Sequence, residues 1–146
     1  MYYPEHKIGP NIGLFTYLKP LSPTIVDGDN VYNVPNKNTN GAIEGDLVYY
    51  ELSNDKVIVI GIHKRNIEKN RIVGVLQITS TKSFGNTNRG LPIYNFVPLS
   101  WKYPNFMVPS SVRQKWKEPG PIKNVYVIIE FAEWTIKQKY PLGRCI

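Results

Sequence analysis

Short runs of β-branched and aromatic residues, each stopped by Gly, Pro, Asn or Asp, constrain this chain to a sheet of short strands. Gly45-Asp46 leads into Leu47-Val48-Tyr49-Tyr50-Glu51-Leu52, and Val57-Ile58-Val59-Ile60-Gly61-Ile62 returns after the polar break Ser53-Asn54-Asp55-Lys56. Two apolar runs split in this way predict a β-hairpin. Residues 71–79 predict a third strand, in which Gly74 would mark a bulge or the bend of a barrel corner. Residues 93–98, 105–108 and 125–131 complete the set, with a loop from Leu99 to Pro104 between the first two. Only residues 111–117 and 133–139 have a pattern that admits a helical turn or two. The 11 glycines and 12 prolines are spread along all 146 residues, so turns are frequent and long helices are not expected. The fold class that follows is all-β, built as small barrels or a sandwich.

A faint internal repeat favours two barrels in tandem. Lys19-Pro20-Leu21-Ser22 resembles Val97-Pro98-Leu99-Ser100 at an offset of 78 residues. Val48-Tyr49-Tyr50-Glu51-Leu52 resembles Val127-Ile128-Ile129-Glu130-Phe131 at an offset of 79. Nearly equal offsets predict two units of about 70 residues each. The boundary falls in the polar stretch from His63 to Asn70, giving a first barrel over 1–65 and a second over 66–146. Charge divides along the same line. Residues 1–62 hold four Lys/Arg and seven Asp/Glu, a net of −3; residues 63–146 hold fourteen and four, a net of +10. A strongly basic second half points to a polyanion, with nucleic acid the commonest; a solvating surface is the plain alternative.

Most catalytic chemistry is excluded. Neither standard nucleotide-binding glycine loop occurs, nor a His-Glu-x-x-His or a paired Cys-x-x-Cys motif. Two histidines, His6 and His63, cannot make a His-rich metal site, and Cys145 lies one residue from the end of the sequence. Asp27, Asp29, Glu44 and Asp46 could gather around a divalent ion, but Val26-Asp27-Gly28-Asp29-Asn30 reads first as a turn. The single cysteine, the lack of an Asn-x-Ser/Thr acceptor and of a long apolar segment indicate a protein that is not secreted and has no membrane partner. It is expected inside the cell, in cytoplasm, nucleus or virion.

Single-stranded nucleic acid is held by aromatic faces that stack on bases and by Lys and Arg that neutralise phosphates. Residues 82–90 mix such groups with flexible polar residues, and Tyr94, Phe96 and the loop Trp101-Lys102-Tyr103 follow. Tyr94 and Phe96, two apart on one strand, would share a face. Lys64, Arg65, Lys82, Arg89 and Lys102 are the candidate phosphate contacts; Phe84, Tyr94, Trp101 and Tyr103 are the candidate stacking residues. For each aromatic the competing role is barrel core, and for the cluster at Lys64 and Arg65 it is a solvated strand end.

These residues also carry a resemblance. The segment from Phe96 to Val108, with Phe96-Val97-Pro98 followed by Ser100-Trp101 and an alternating strand, resembles the second cold-shock-like domain of RNB-family exoribonucleases. Ala42-Ile43-Glu44-Gly45-Asp46-Leu47-Val48 through Glu51-Leu52 is similar to that family's "Ala-x-x-Gly-Asp-x-Val-x-x-Glu-Leu". Val59-Ile60-Gly61-Ile62-His63-Lys64-Arg65-Asn66 is similar to its "Val-Val-Gly-Ile-x-Lys-Arg-Asn", and Trp134 with Tyr140-Pro141-x-Gly143 to its "Trp…Tyr-Pro-x-Gly". Residues 1–41 match poorly, and Ser100-Trp101 departs from the acidic and basic pair usual there, so Trp101 would stack instead of binding phosphate.

The resemblance implies two tandem OB-type, cold-shock-like barrels that guide single-stranded RNA towards a nuclease. In the family the Mg²⁺-holding aspartates belong to a following RNB domain, so no cofactor and no catalytic role fall to this chain. The expected partners are single-stranded RNA and a following RNB nuclease domain. The sequence stops inside the last motif, as a fragment would. Two other readings stay open: a structural or protein–protein interaction module, such as a virion or scaffold component, and a complete small nuclease, which would need a carboxylate cluster.

Overall fold

The computed structural model describes residues 11–66, 71–79, 84–135 and 138–146. The chain divides into two compact units, Met1–Asn66 and Ile67–Ile146.

In the first unit β1 (Asn11–Lys19), β2 (Ser22–Asp27), β3 (Asn30–Asn33), β4 (Leu47–Ser53) and β5 (Lys56–Lys64) form one sheet in the order β3-β2-β1-β4-β5. Every neighbouring pair is antiparallel. The β4–β5 hairpin turns through Asn54 and Asp55 at φ 51° and 63°, the pair of positive values that a two-residue turn matched to strand twist requires. Inward residues Phe15, Ile25, Val48, Tyr50, Val57 and Val59 pack with Val34 and Ala42 into a buried core. β3 and β5 are the sheet's two edges. A 3-10 turn at Asn36–Asn38 opens the loop that covers the second of them. There the Asn38 and Asn40 side-chain amides donate to the Val57 and Val59 carbonyls at 3.1 and 2.7 Å. These two carbonyls are thereby closed to a foreign strand.

In the second unit β6 (Arg71–Leu76), β7 (Ile93–Pro98), β8 (Phe106–Pro109), β9 (Val125–Glu133) and β10 (Leu142–Cys145) close into a barrel in the order β10-β8-β7-β6-β9. Three strands meander, the fourth returns to pair with the first, and the fifth closes parallel to the third. That is OB-type connectivity, and the first unit repeats it up to the last closure. Ile72, Leu76, Phe96, Phe106, Val108 and Ile129 fill the interior, with Phe96 and Phe106 edge to face at 6.2 Å. Gly74 marks neither bulge nor register break. Its pairing runs on unbroken, and a Cβ there would stand 2.4 Å from the Val97 carbonyl oxygen and 2.5 Å from Phe96 Cζ. Gly143 admits Ile129 Cδ1 in the same manner, 2.7 Å from where a Cβ would be. No α-helix forms among the described residues. The helical tendency near residue 111 yields one turn, closed by Lys115 N–H on the Ser111 carbonyl.

The stronger of the two sequence matches has a structural basis. Val48–Leu52 and Val127–Phe131 are both on fourth strands, and the 79-residue offset carries buried Tyr50 onto buried Ile129. The other match does not. Lys19–Ser22 turns from a first strand to a second, whereas Val97–Ser100 leaves a second strand.

Candidate nucleic-acid interface

Oligonucleotides meet OB-type barrels on the face of the second and third strands, between the loops joining strands one to two and four to five. In the second unit these are β7, β8, the β6–β7 loop and the β9–β10 loop. The β6–β7 loop folds back on β7: Phe84 N–H donates to the Ile93 carbonyl at 3.0 Å, and Ile93 N–H to that of Gly85 at 2.9 Å. Asn86 bridges Pro92 in the same ladder. The extension holds Phe84 41% exposed, its ring 5.6 Å from that of Tyr140 in the β9–β10 loop. Lys139 Nζ lies 5.5 Å from the Tyr140 ring centroid, within cation–π range. An exposed ring, a second ring and a cation thus come together from the two flanking loops.

The residues singled out in the sequence divide into several groups. Phe84 and Arg89 are exposed in the β6–β7 loop. Trp101, half exposed, Lys102 and the partly buried Tyr103 occupy the β7–β8 loop, with Lys102 Nζ 5.8 Å from the Trp101 ring. These two loops leave opposite ends of β7, whose five steps of about 3.3 Å separate them by roughly 17 Å. Lys64 is exposed at the end of β5 in the other unit. Lys82 lies outside the described residues. Tyr94 does share a face with Phe96, but that face is the barrel interior: Tyr94 is 3% exposed and its ring is closed to a base. Alternation on β7 ties the two together, and Phe96 packs on Phe106 in the core.

Arg65 is also reassigned. Its guanidinium is turned inward, 2.6 Å from Asp46 Oδ2 and 2.8 Å from the Gly41 carbonyl, leaving the side chain only 11% exposed. Asp46, wholly buried, further accepts Ile43 N–H at 2.9 Å and Asn66 N–H at 3.3 Å. Burial pushes the Asp46 carboxyl above its ordinary value against the pull of these donors and of Arg65. Gly-Asp and Lys-Arg-Asn are therefore two halves of one lock that ties β5 to the loop before β4. Arg65 holds the first sheet together and is not offered to phosphate.

Two of the other acidic side chains weighed as metal ligands are engaged separately. Glu44 accepts the Thr16 hydroxyl at 2.7 Å and Tyr17 N–H at 2.8 Å, and Asp27 accepts the Tyr50 hydroxyl. Among the described residues no three metal-ligating side chains gather, and no helix is long and apolar enough to cross a membrane. Sequence reasoning missed Tyr140 and Lys139 as surface groups. Tyr140 was visible as part of a motif, but its position beside Phe84 follows only from barrel closure. Also missed were the cations Arg113, Lys115, Lys117 and Lys123 of the β8–β9 loop, although their density alone was a signal.

The connectivity defines two OB-type units. Residues 93–146, which include β7 to β10, match the family model of the Dis3-like cold-shock domain 2 (CSD2). Apo RNase R of Mycoplasma genitalium has this fold at a TM-score of 0.64 and 20% identity, over 93% of this chain and 21% of that one. The same enzyme in complex with ribose methylated single-stranded RNA matches at 0.64 and 19%, over 93% and 21%. Yeast Ssd1, a pseudonuclease, matches at 0.67 and 16%, over 92% and 22%. The chain spans about a fifth of the length of these proteins. No curated protein sequence matches it. The resemblance to tandem cold-shock domains of RNB-family proteins, read from the sequence, rests on the family match in the second unit and on the shared fold.

Proposed function

We propose that this chain is a single-stranded RNA-binding module, the RNA-guiding N-terminal part of an RNB-type 3′–5′ exoribonuclease, with no catalytic residue of its own. The observation that carries the reading is the meeting of Phe84, Tyr140 and Lys139 beside the β7–β8 face. Two rings and a cation there suit stacked bases and their phosphates, and an RNase R of similar fold has been solved with single-stranded RNA. Lys82, Arg89 and Lys102 supply further phosphate contacts in the second unit, and Lys64 in the first. Trp101 and Tyr103 stack on bases beyond the far end of β7. Recognition is by backbone charge and stacking, with little sequence preference and strong salt dependence. A following RNB nuclease domain would hold the Mg²⁺ and perform hydrolysis, inside the cell.

Phe84→Ala and Tyr140→Ala test this assignment. Each removes a stacking platform worth about 1–3 kcal/mol, so each should weaken binding of a uridylate oligomer roughly five- to 150-fold. Tyr94→Phe, which changes only a buried hydroxyl, should leave binding unaltered. Wild-type affinity in both Phe84→Ala and Tyr140→Ala would refute the site. Absence of RNA binding by the wild type would leave the structural or protein-interaction reading in its place.

A further inference from the structure

The β8–β9 loop carries a concentration of charge that the surface described above does not use. Arg113, Lys115, Lys117 and Lys123 are all exposed, with Glu118 as the acid among them. Of the ion pairs formed among the described residues, Arg65–Asp46 and Arg144–Glu130, neither takes one of these four cations. Like charges crowded on one short loop repel one another, and without an anion they give the fold nothing in return.

The loop is nevertheless held in shape. Ser110 Oγ accepts Val112 N–H at 3.1 Å, and Lys115 N–H closes a turn on the Ser111 carbonyl at 3.1 Å. Trp116, between Lys115 and Lys117, is half-buried and its indole N–H is buried without a hydrogen-bond partner among the described residues. Both ends of the loop are fastened to the β6–β7 connection. Ser110 N–H donates to the Pro92 carbonyl at 3.1 Å, and Asn124 Oδ1 accepts the Thr79 N–H and hydroxyl at 3.0 and 2.8 Å. The loop that carries the four cations therefore begins and ends at the connection that carries Phe84 and Arg89.

We infer that the β8–β9 loop is a second contact for the same single strand, binding phosphates through Arg113, Lys115, Lys117 and Lys123 after the strand has crossed the β7–β8 face. This rests on the single-stranded RNA reading above. It adds a site with its own chemistry: charge without stacking, and reached only by a strand longer than the first face holds. An oligomer of about six nucleotides fills one OB-type face; one of about 20 extends past it.

The test compares the wild type with a variant in which all four cations are replaced by Ala, titrated with uridylate oligomers of about six and about 20 nucleotides. Each lost phosphate contact on a single strand lowers the slope of log K against log salt by about 0.7, so four lower it by roughly 3. The long oligomer should lose affinity about tenfold or more at low salt, and its salt slope should fall by that amount. The short one should bind as before, which also certifies that the variant is folded. An unchanged slope for the long oligomer overturns the second contact while leaving the proposed function standing. Equal losses for both lengths also overturn it, by merging the loop with the first site. Failure of the wild type to bind either oligomer overturns both readings.

Discussion

Truncating Arg65 to Ala leaves a buried carboxylate without its counter-charge. Asp46 is fully buried and keeps two backbone N–H donors, from Ile43 and Asn66, but loses the charge that compensates it at 2.6 Å. Breaking a buried pair from one side costs about 3–5 kcal/mol, because the remaining ion is unpaired in a poorly polarisable interior. Against the 5–15 kcal/mol or so typical of a small domain, the first unit would lose about a fifth of its stability or more. Removing both charges, as in Asp46→Asn with Arg65→Met, should recover most of that loss, since neither partner is then left ionised. The sign of the pH dependence follows from the lock. Burial already raises the Asp46 carboxyl, and without Arg65 it rises further. The folded state then binds a proton that the unfolded state has released, so stability of the variant grows as pH falls through the raised value towards the ordinary carboxylate range. Hydrogen exchange, corrected for intrinsic rates, reads this strand by strand. Protection of β4 and β5 should fall by roughly a hundred- to several-thousand-fold at pH near 7, and by less at lower pH, while β6 to β9 stay as they are. A change under about tenfold, or a deficit that grows on acidification, would refute the role given to the lock.

Three further outcomes are expected. Gly74→Ala forces a methyl group against the Val97 carbonyl and Phe96, so thermal unfolding should show a destabilisation of about 1–3 kcal/mol in the second unit. Asp55→Gly relieves an L-residue of its φ of 63° in the β4–β5 turn and should stabilise by a few tenths of a kcal/mol to about 1, read from urea midpoints. Burial, and then the neighbouring Asp27, push the Tyr50 hydroxyl well above its ordinary value. The unfolded state therefore releases its proton first, and stability of the first unit should fall as pH rises past about 10, a slope that Tyr50→Phe should flatten.

The strands that could be read from the sequence are those with one kind of neighbour. β4 and β5 face the core with Val48, Tyr50, Val57 and Val59 and are separated by a polar turn, so both strand and hairpin were legible. β1 to β3 were not. Along β1 the outward residues Ile12, Leu14 and Leu18 are as apolar as the inward Phe15 and Tyr17, so no alternation marks the strand. At the candidate interface the chemistry was legible and the direction was not. Tyr94 and Trp101 look alike in a string of letters, and only the pleat of β7 turns one inward and leaves the other at a loop tip. Arg65 was misread for a related reason: its partner Asp46 lies nineteen residues earlier, and the two meet only because β4 and β5 pair.

A fluorescence anisotropy titration of the wild-type chain tests the central claim most directly. It would use one labelled sequence as single-stranded RNA, as duplex RNA and as single-stranded DNA, at about 50 and 200 mM salt. An RNA-guiding module predicts clear preference for the single strand over the duplex, weakening steeply between the two salt conditions. Equal, weak binding to all three, or none, would contradict it.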